Sequence, residues 1–203
     1  KISFELRNEL GEKSILLALF SKYLKEYKID HRIPPYFVVP KSLAYKIASN
    51  PHPFSGEIKN ELVTLLASLG RGPLETEADR IFGDPKNPLL ISIRAAPAQI
   101  TPGQFLTVLN IGINDRTVEG LAIQFGDRDK ALRLYAKLIE DFLLHLGEVP
   151  LMREELEEDL GNIERVGQES ELERRIRGLK SIYRRIHNAD FPQDVYEQMR
   201  NVM

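Results

Sequence analysis

Phe82-Gly83-Asp84-Pro85-Lys86-Asn87-Pro88-Leu89-Leu90-Ile91-Ser92-Ile93-Arg94, resumed after an interval by Thr107-Val108-Leu109-Asn110-Ile111-Gly112-Ile113-Asn114-Asp115, decides how the 203-residue chain is read. Leu89 to Ile93 is almost continuously apolar, which predicts a strand covered on both faces that delivers Arg94 at its C-terminal end. Phe105 to Ile113 is a second strand by the same reasoning. Ala95 to Gly103, between them, holds two prolines and a glycine and reads as a shaped loop of the kind that carries sites. An arginine at a strand tip beside such a loop suits phosphate, because its planar fork matches two oxygens at once. The same position also suits a buried arginine paired with a carboxylate, and the pattern alone favours neither.

Upstream, Ile2, Phe4 and Leu6 alternate with Ser3, Glu5 and Arg7, the period of a half-buried strand. Gly11 ends that pattern, and Leu16, Phe20, Tyr23, Leu24 and Tyr27 then recur at helical spacing, so a helix starts near Lys13 and Ser14. A helix start offers N–H groups and a positive dipole end to an anion, and Lys13 adds a full charge. Taken alone, Lys13 reads as an exposed first-turn lysine before it reads as a ligand, since most lysines are solvated. Gly11-Glu12-Lys13-Ser14 is not a P-loop, which needs a glycine immediately before the lysine, where Glu12 stands. Pro34 and Pro35 stop the helix, Tyr36 to Val39 reads as extended, and Pro40 before Ser42 opens another helix. Asn50 to Gly56 is a loop. Ile58, Leu62, Leu65, Leu66 and Leu69 line one face of the next helix, which ends at Gly70 as a residue of positive φ.

Downstream of Asn114 the signals are helical throughout. Val118, Leu121, Ala122 and Phe125 form one stripe, and Ala131, Tyr135, Leu138 and Phe142 a second that stops at Gly147. Glu154 to Asp159 is an acidic run read as solvated surface. Arg174, Arg175, Arg177, Lys180, Arg184 and Arg185 surround the stripe Leu172, Ile176, Leu179, Tyr183 and Ile186, with Ser170 and Glu173 as a capping box. These cations spread around the helix and balance Glu169, Glu171 and Glu173, so the helix reads as a solvated face and not as a nucleic-acid stripe. Tyr196, Met199 and Val202 mark a last helix that stops at Met203 without a cap. With Lys1 at the other end, the chain reads as a piece of something longer.

Composition narrows the function classes. Lys and Arg number 28 against 30 Asp and Glu, for a net charge of −2, which supplies no basic field for nucleic acid. The chain has no cysteine, which excludes thiolate catalysis and cysteine-held zinc. Its histidines, His31, His52, His145 and His187, lie far apart in no H-x-x-x-H pattern, so no histidine-held metal is expected. No G-x-S-x-G elbow signals a hydrolase serine. No apolar run approaches the roughly 20 residues of a membrane span, and the expectation is a cytoplasmic protein without membrane or nucleic-acid partners.

The motifs quoted above closely resemble the nucleotide-binding N-terminal domain of the pyruvate, phosphate dikinase family, whose strand L-V-S-V-R leads through a loop with S-G-A-R and M-P-G to T-V-L-N-L-G-L-N-D. The resemblance extends to Leu10-Gly11-Glu12-Lys13 for L-G-G-K-G, to Val118-Glu119-Gly120-Leu121-Ala122, and to Phe191-Pro192-Gln193-Asp194 with Glu197-Gln198, in collinear order. It implies an α+β fold: an ATP-grasp-like lobe over residues 1–113, with a small mixed sheet flanked by helices, and an all-helical subdomain over 114–203. It further implies a chain that stops before the second ATP lobe. By the same resemblance Lys13 and Arg94 are nucleotide-binding, the cofactor is ATP with magnesium held by ligands outside this chain, and the partners are ATP and the remaining domains of a parent protein. The activity implied is ATP-dependent phosphorylation of a histidine on a separate domain, followed by transfer to pyruvate, of which this chain alone is not competent. Departures cluster at the phosphate positions: Glu12 and Ser14 replace glycines, Ala95 and Ala96 replace Ser-Gly, Ala98 replaces a second arginine, and Leu106 replaces an acid. They motivate an alternative, a degenerate non-catalytic binding or regulatory module of the same fold. Another phosphoenolpyruvate-utilising kinase of the superfamily is a further alternative.

Overall fold

A computed structural model describes residues 4–29, 33–49, 56–71, 79–95, 107–145 and 153–203. The fold is α+β, with helices predominating over two small sheets. The chain divides into two compact units, the first from Lys1–Leu69 and Arg94–Thr107 with Met203, the second from Gly70–Ile93 and Val108–Val202.

The first unit contains α1 (Phe4–Leu10), α2 (Glu12–Glu26), α3 (Lys41–Ser49) and nearly all of α4 (Gly56–Gly70). The strand expected over residues 2–7 is a helix over its described part. Six alternating residues are too few to separate the two periods, and Leu6 and Leu10, four apart, also satisfy the helical one. Glu9 of α1 accepts the backbone N–H of Ser42 at 2.9 Å and its hydroxyl as well, so a carboxylate sits on the first turn of α3. The Ser42 hydroxyl holds that carboxyl below the usual range. α2 begins close to where its periodicity predicts, behind Gly11 at φ 75°, but its expected apolar face is not its buried one: Leu24 and Ile15 are buried, while Leu16, Phe20, Tyr23 and Tyr27 are exposed. α3 follows Pro40, whose carbonyl takes the Ala44 N–H at 2.9 Å, and buries Ile47. Tyr36 to Val39 belongs to no strand. α4 buries Leu62 and Leu66 as expected.

Gly70, at the start of the second unit, closes α4 without the positive φ expected of it. Its need for glycine is one of space: a Cβ there would lie 1.8 Å from the Arg80 carbonyl oxygen. β1 (Ile81–Phe82) pairs in parallel with β2 (Pro88–Leu89), Ile81 opposite Pro88 and Phe82 opposite Leu89. β3 (Ile91–Arg94) pairs with β4 (Thr107–Ile111). The single strand expected over Leu89 to Ile93 is therefore interrupted at Leu90. It is not covered on both faces either, since Ser92 is exposed and Ile91 and Ile93 only half-buried. A two-stranded ribbon leaves alternate residues open in a way a wider sheet would not.

Helices α5 (Thr117–Phe125), α6 (Arg128–His145), α7 (Arg153–Gly161), α8 (Glu171–His187) and α9 (Val195–Val202) complete the unit. α6 packs on α5 and α8 through Tyr135, Leu138, Ile139 and Phe142 from α6 and Leu179 and Ile182 from α8, all but solvent-free. Phe191 meets the rings of Phe142 at 5.2 Å and Tyr183 at 5.4 Å, edge to face. The Ser170–Glu173 capping box at the start of α8 is present in both of its bonds. The stop expected at Gly147, most of the loop over Asn50 to Gly56, and positions 96–106 lie outside the described residues.

Candidate functional site

Lys13 is the second residue of α2, half-buried, in the first turn of a 15-residue helix whose Gly11 cap makes no side-chain hydrogen bond. That start carries the partial positive charge of the aligned peptides. Glu12, the carboxylate that would repel an anion, lies 3.9 Å from the Arg7 guanidinium, which offsets its charge. Arg94 ends β3 and is exposed, with its Nε donating to the Thr107 hydroxyl at 3.1 Å. The buried, carboxylate-paired reading of Arg94 is not what the structure has: among the described residues no acid pairs with it. Lys13 and Arg94 both belong to the first unit. Of the loop residues that follow Arg94, only Ala95 is described.

The motifs of the second unit come together as a polar joint. Gln198, fully buried on α9, accepts the Gly112 N–H at 3.0 Å and donates to the carbonyls of Ile113 at 2.8 Å and Pro192 at 2.9 Å. Just ahead of α5, Asn114 accepts the N–H groups of Arg116 at 2.9 Å and Thr117 at 2.8 Å, and its amide donates to the Gln193 carbonyl at 2.8 Å. The Gln193 side chain returns to the Asp115 N–H at 3.0 Å. Gly112 has φ 112°, and a Cβ there would come 2.7 Å from the Leu89 carbonyl oxygen. A Cβ at Gly120 would come 2.1 Å from the Pro85 carbonyl oxygen. Hence Asn110 to Asp115, Val118 to Ala122 and Phe191 to Asp194, read from sequence as marks of a nucleotide domain, serve in this unit as its fastening. Gln198 was quoted with them, but its threefold role has no sequence signal, because a glutamine among Glu197 and Arg200 on a short helix looks solvated.

The basic helix α8 is neutralised from several directions. Arg175 bonds Glu140 at 2.8 Å and Glu157 at 2.7 Å, Arg177 bonds Glu169 at 2.6 Å, and Arg185, Lys180 and Arg184 pair with Asp159, Asp115 and Asp190. The acidic run Glu154 to Asp159 is thus a partner strip for α8 and more than solvated surface. Hydrogen bonding to Arg177 holds Glu169 at about 2, and bonding to Arg175 lowers Glu157. A cleft of about 500 Å³ opens beside α8, lined among others by Asp115, Tyr135 and Lys180. The buried Tyr135 hydroxyl donates to Asp115 at 2.9 Å, Lys180 stands 5.1 Å from the ring centroid, and burial pushes the phenol above its ordinary range. With each cation of this cleft already matched by an acid, it presents no surplus charge to a ligand. Among the described residues no group of three acidic or histidine side chains could hold a metal ion, and no helix is long and apolar enough to cross a membrane.

Comparison with known proteins gives one consistent result. The chain is 32% identical over 139 residues to the pyruvate, phosphate dikinase of Giardia intestinalis, covering 67% of this chain and 14% of that protein. It is 30% identical over 135 residues to that of Rickettsia bellii, covering 66% and 14%, and 26% identical over 201 residues to that of Clostridium symbiosum, covering 96% and 22%. The chain therefore spans between about a seventh and about a fifth of the length of these relatives. No family model matches it.

Proposed function

This chain is a sequence relative of the pyruvate, phosphate dikinases, and on that premise we propose that it is one ATP-grasp-like lobe of a dikinase-like phosphotransferase. In this reading Lys13 and Arg94 contact the phosphates of ATP, and magnesium is held by residues outside the chain. The observation that carries it is the similarity to the Clostridium symbiosum enzyme across 96% of the chain. Phosphoryl transfer asks the protein chiefly to position the nucleotide and to neutralise spread negative charge. A lysine on an uncapped helix start and an exposed arginine at a strand tip have the chemistry for it. ATP supplies the phosphoryl group, and the acceptor is a histidine on another domain of the parent protein, from which pyruvate receives it.

The placement of Glu12 supports the same reading, because a carboxylate beside Arg7 costs an incoming phosphate less than a lone one. A second reading, a binding module of the same fold without catalysis, is favoured by Ala95, which stands where the family carries a hydroxyl. Titration calorimetry of the full-length protein with Mg·ATP separates them. The first reading expects binding that weakens at least tenfold in both Lys13→Ala and Arg94→Ala. Absence of binding at millimolar nucleotide would leave the module.

A further inference from the structure

We propose that Thr107 is a positioning residue that sets which edge of the Arg94 guanidinium is offered to phosphate, an inference that rests on the phosphate-binding reading of Arg94. An arginine can grip an anion in two bidentate ways, through its Nη1 and Nη2 end or through its Nε and Nη2 side. In this protein the Nε proton is already given to the Thr107 hydroxyl at 3.1 Å. Among the described residues, that leaves the end-on fork without a partner and takes up the side-on one. Arg94 is the last residue of β3 and Thr107 the first of β4, and the two strands pair. Thr107 is half-buried while Arg94 is exposed, so the acceptor is the better held of the two. Being β-branched, threonine has few rotamers, and its hydroxyl stays near one place.

An exposed arginine otherwise samples many rotamers, and fixing it on binding costs side-chain entropy. A single hydrogen bond to Nε removes part of that freedom before the ligand arrives, the general benefit of preorganisation. The ligand that gains is one with two accessible terminal oxygens facing the guanidinium end, such as the terminal phosphate of a nucleoside triphosphate. A ligand approached side-on gains nothing. Thr107 thereby contributes to affinity without touching the nucleotide.

The test is a double-mutant cycle on the full-length protein, with Mg·ATP binding followed by calorimetry and folding by thermal melting. Thr107→Val keeps the shape and removes the acceptor, and it is expected to weaken binding about three- to tenfold with the melting temperature within a few degrees of the parent. Thr107→Ser is expected to restore most of the loss. In an Arg94→Ala background, Thr107→Val is expected to change binding less than twofold. Equal binding by the parent and Thr107→Val, or the same loss with and without Arg94, overturns the proposal while leaving Arg94 a phosphate ligand. Failure of the parent to bind Mg·ATP removes that reading and this inference together.

Discussion

Replacing Gln198 by methionine tests the polar joint of the second unit most severely. The side chains are nearly equal in volume, so the change removes hydrogen bonds with little change in packing. Three backbone groups lose their partner: the Gly112 N–H at 3.0 Å, the Ile113 carbonyl at 2.8 Å and the Pro192 carbonyl at 2.9 Å. Gln198 is 0% exposed, so water does not reach these groups without rearrangement. A buried group left unsatisfied costs roughly 1–3 kcal/mol, and three that share one site sum to less than three independent losses, about 4 kcal/mol. That is a large part of the roughly 5–15 kcal/mol that holds a domain together. At about 2–4 °C per kcal/mol, the melting transition should fall by about 8–16 °C. Urea titration followed by circular dichroism should show a lower midpoint with an unchanged slope. Gln124→Met is the control, since Gln124 is exposed and, among the described residues, its side chain bonds only that of half-buried Asn87, so it should change stability by less than about 0.5 kcal/mol. A loss below about 1 kcal/mol for Gln198→Met would refute the joint as a determinant of the unit's stability.

Gly112→Ala should destabilise by about 2–4 kcal/mol, since the new Cβ meets the Leu89 carbonyl oxygen at 2.7 Å and the φ of 112° is strained for any other residue; thermal melting checks it. Ser170→Ala breaks the capping box of α8 and should cost about 1 kcal/mol, with faster amide exchange confined to the first turn of that helix. The Glu169 carboxyl, held at about 2 by Arg177, binds its proton less readily folded than unfolded. Its contribution is therefore complete above about pH 4.5 and is lost as pH falls toward 2. The melting-temperature gap between the parent and Glu169→Gln should accordingly close over that window, and a gap of equal size at pH 6 and pH 2 would contradict the assignment.

The helices were readable where an apolar stripe runs for several turns. α4, α6 and α8 carry their buried residues where the 3.6-residue period puts them, and the α8 cap is visible as Ser170 and Glu173, whereas α2 starts as expected but leaves Leu16, Phe20, Tyr23 and Tyr27 of its apolar stripe exposed. Residues 2–7 misled because alternation over six positions does not exclude a helix, and a distant serine, Ser42, gives Glu9 its partner. Leu89 to Ile93 misled for another reason: apolarity reports burial that only the number of neighbouring strands can grant, and β3 has one neighbour. Gly70 was rightly marked as special, but by a dihedral argument, when the constraint is the Arg80 carbonyl. At the candidate site, the chain position of Lys13 and Arg94 could be read in advance, as could the exchange of glycine for Glu12. The neutralising Arg7 and the orienting Thr107 could not, because each acts through a side-chain direction that linear spacing does not encode.

Calorimetric titration of the full-length protein with Mg·ATP, alongside Lys13→Ala and Arg94→Ala, is the most direct measurement of whether the dikinase kinship extends to the nucleotide. The account predicts saturable binding by the parent and at least a tenfold loss in each variant, with both variants melting as the parent does. Binding that is indifferent to both substitutions would place the nucleotide elsewhere and contradict it.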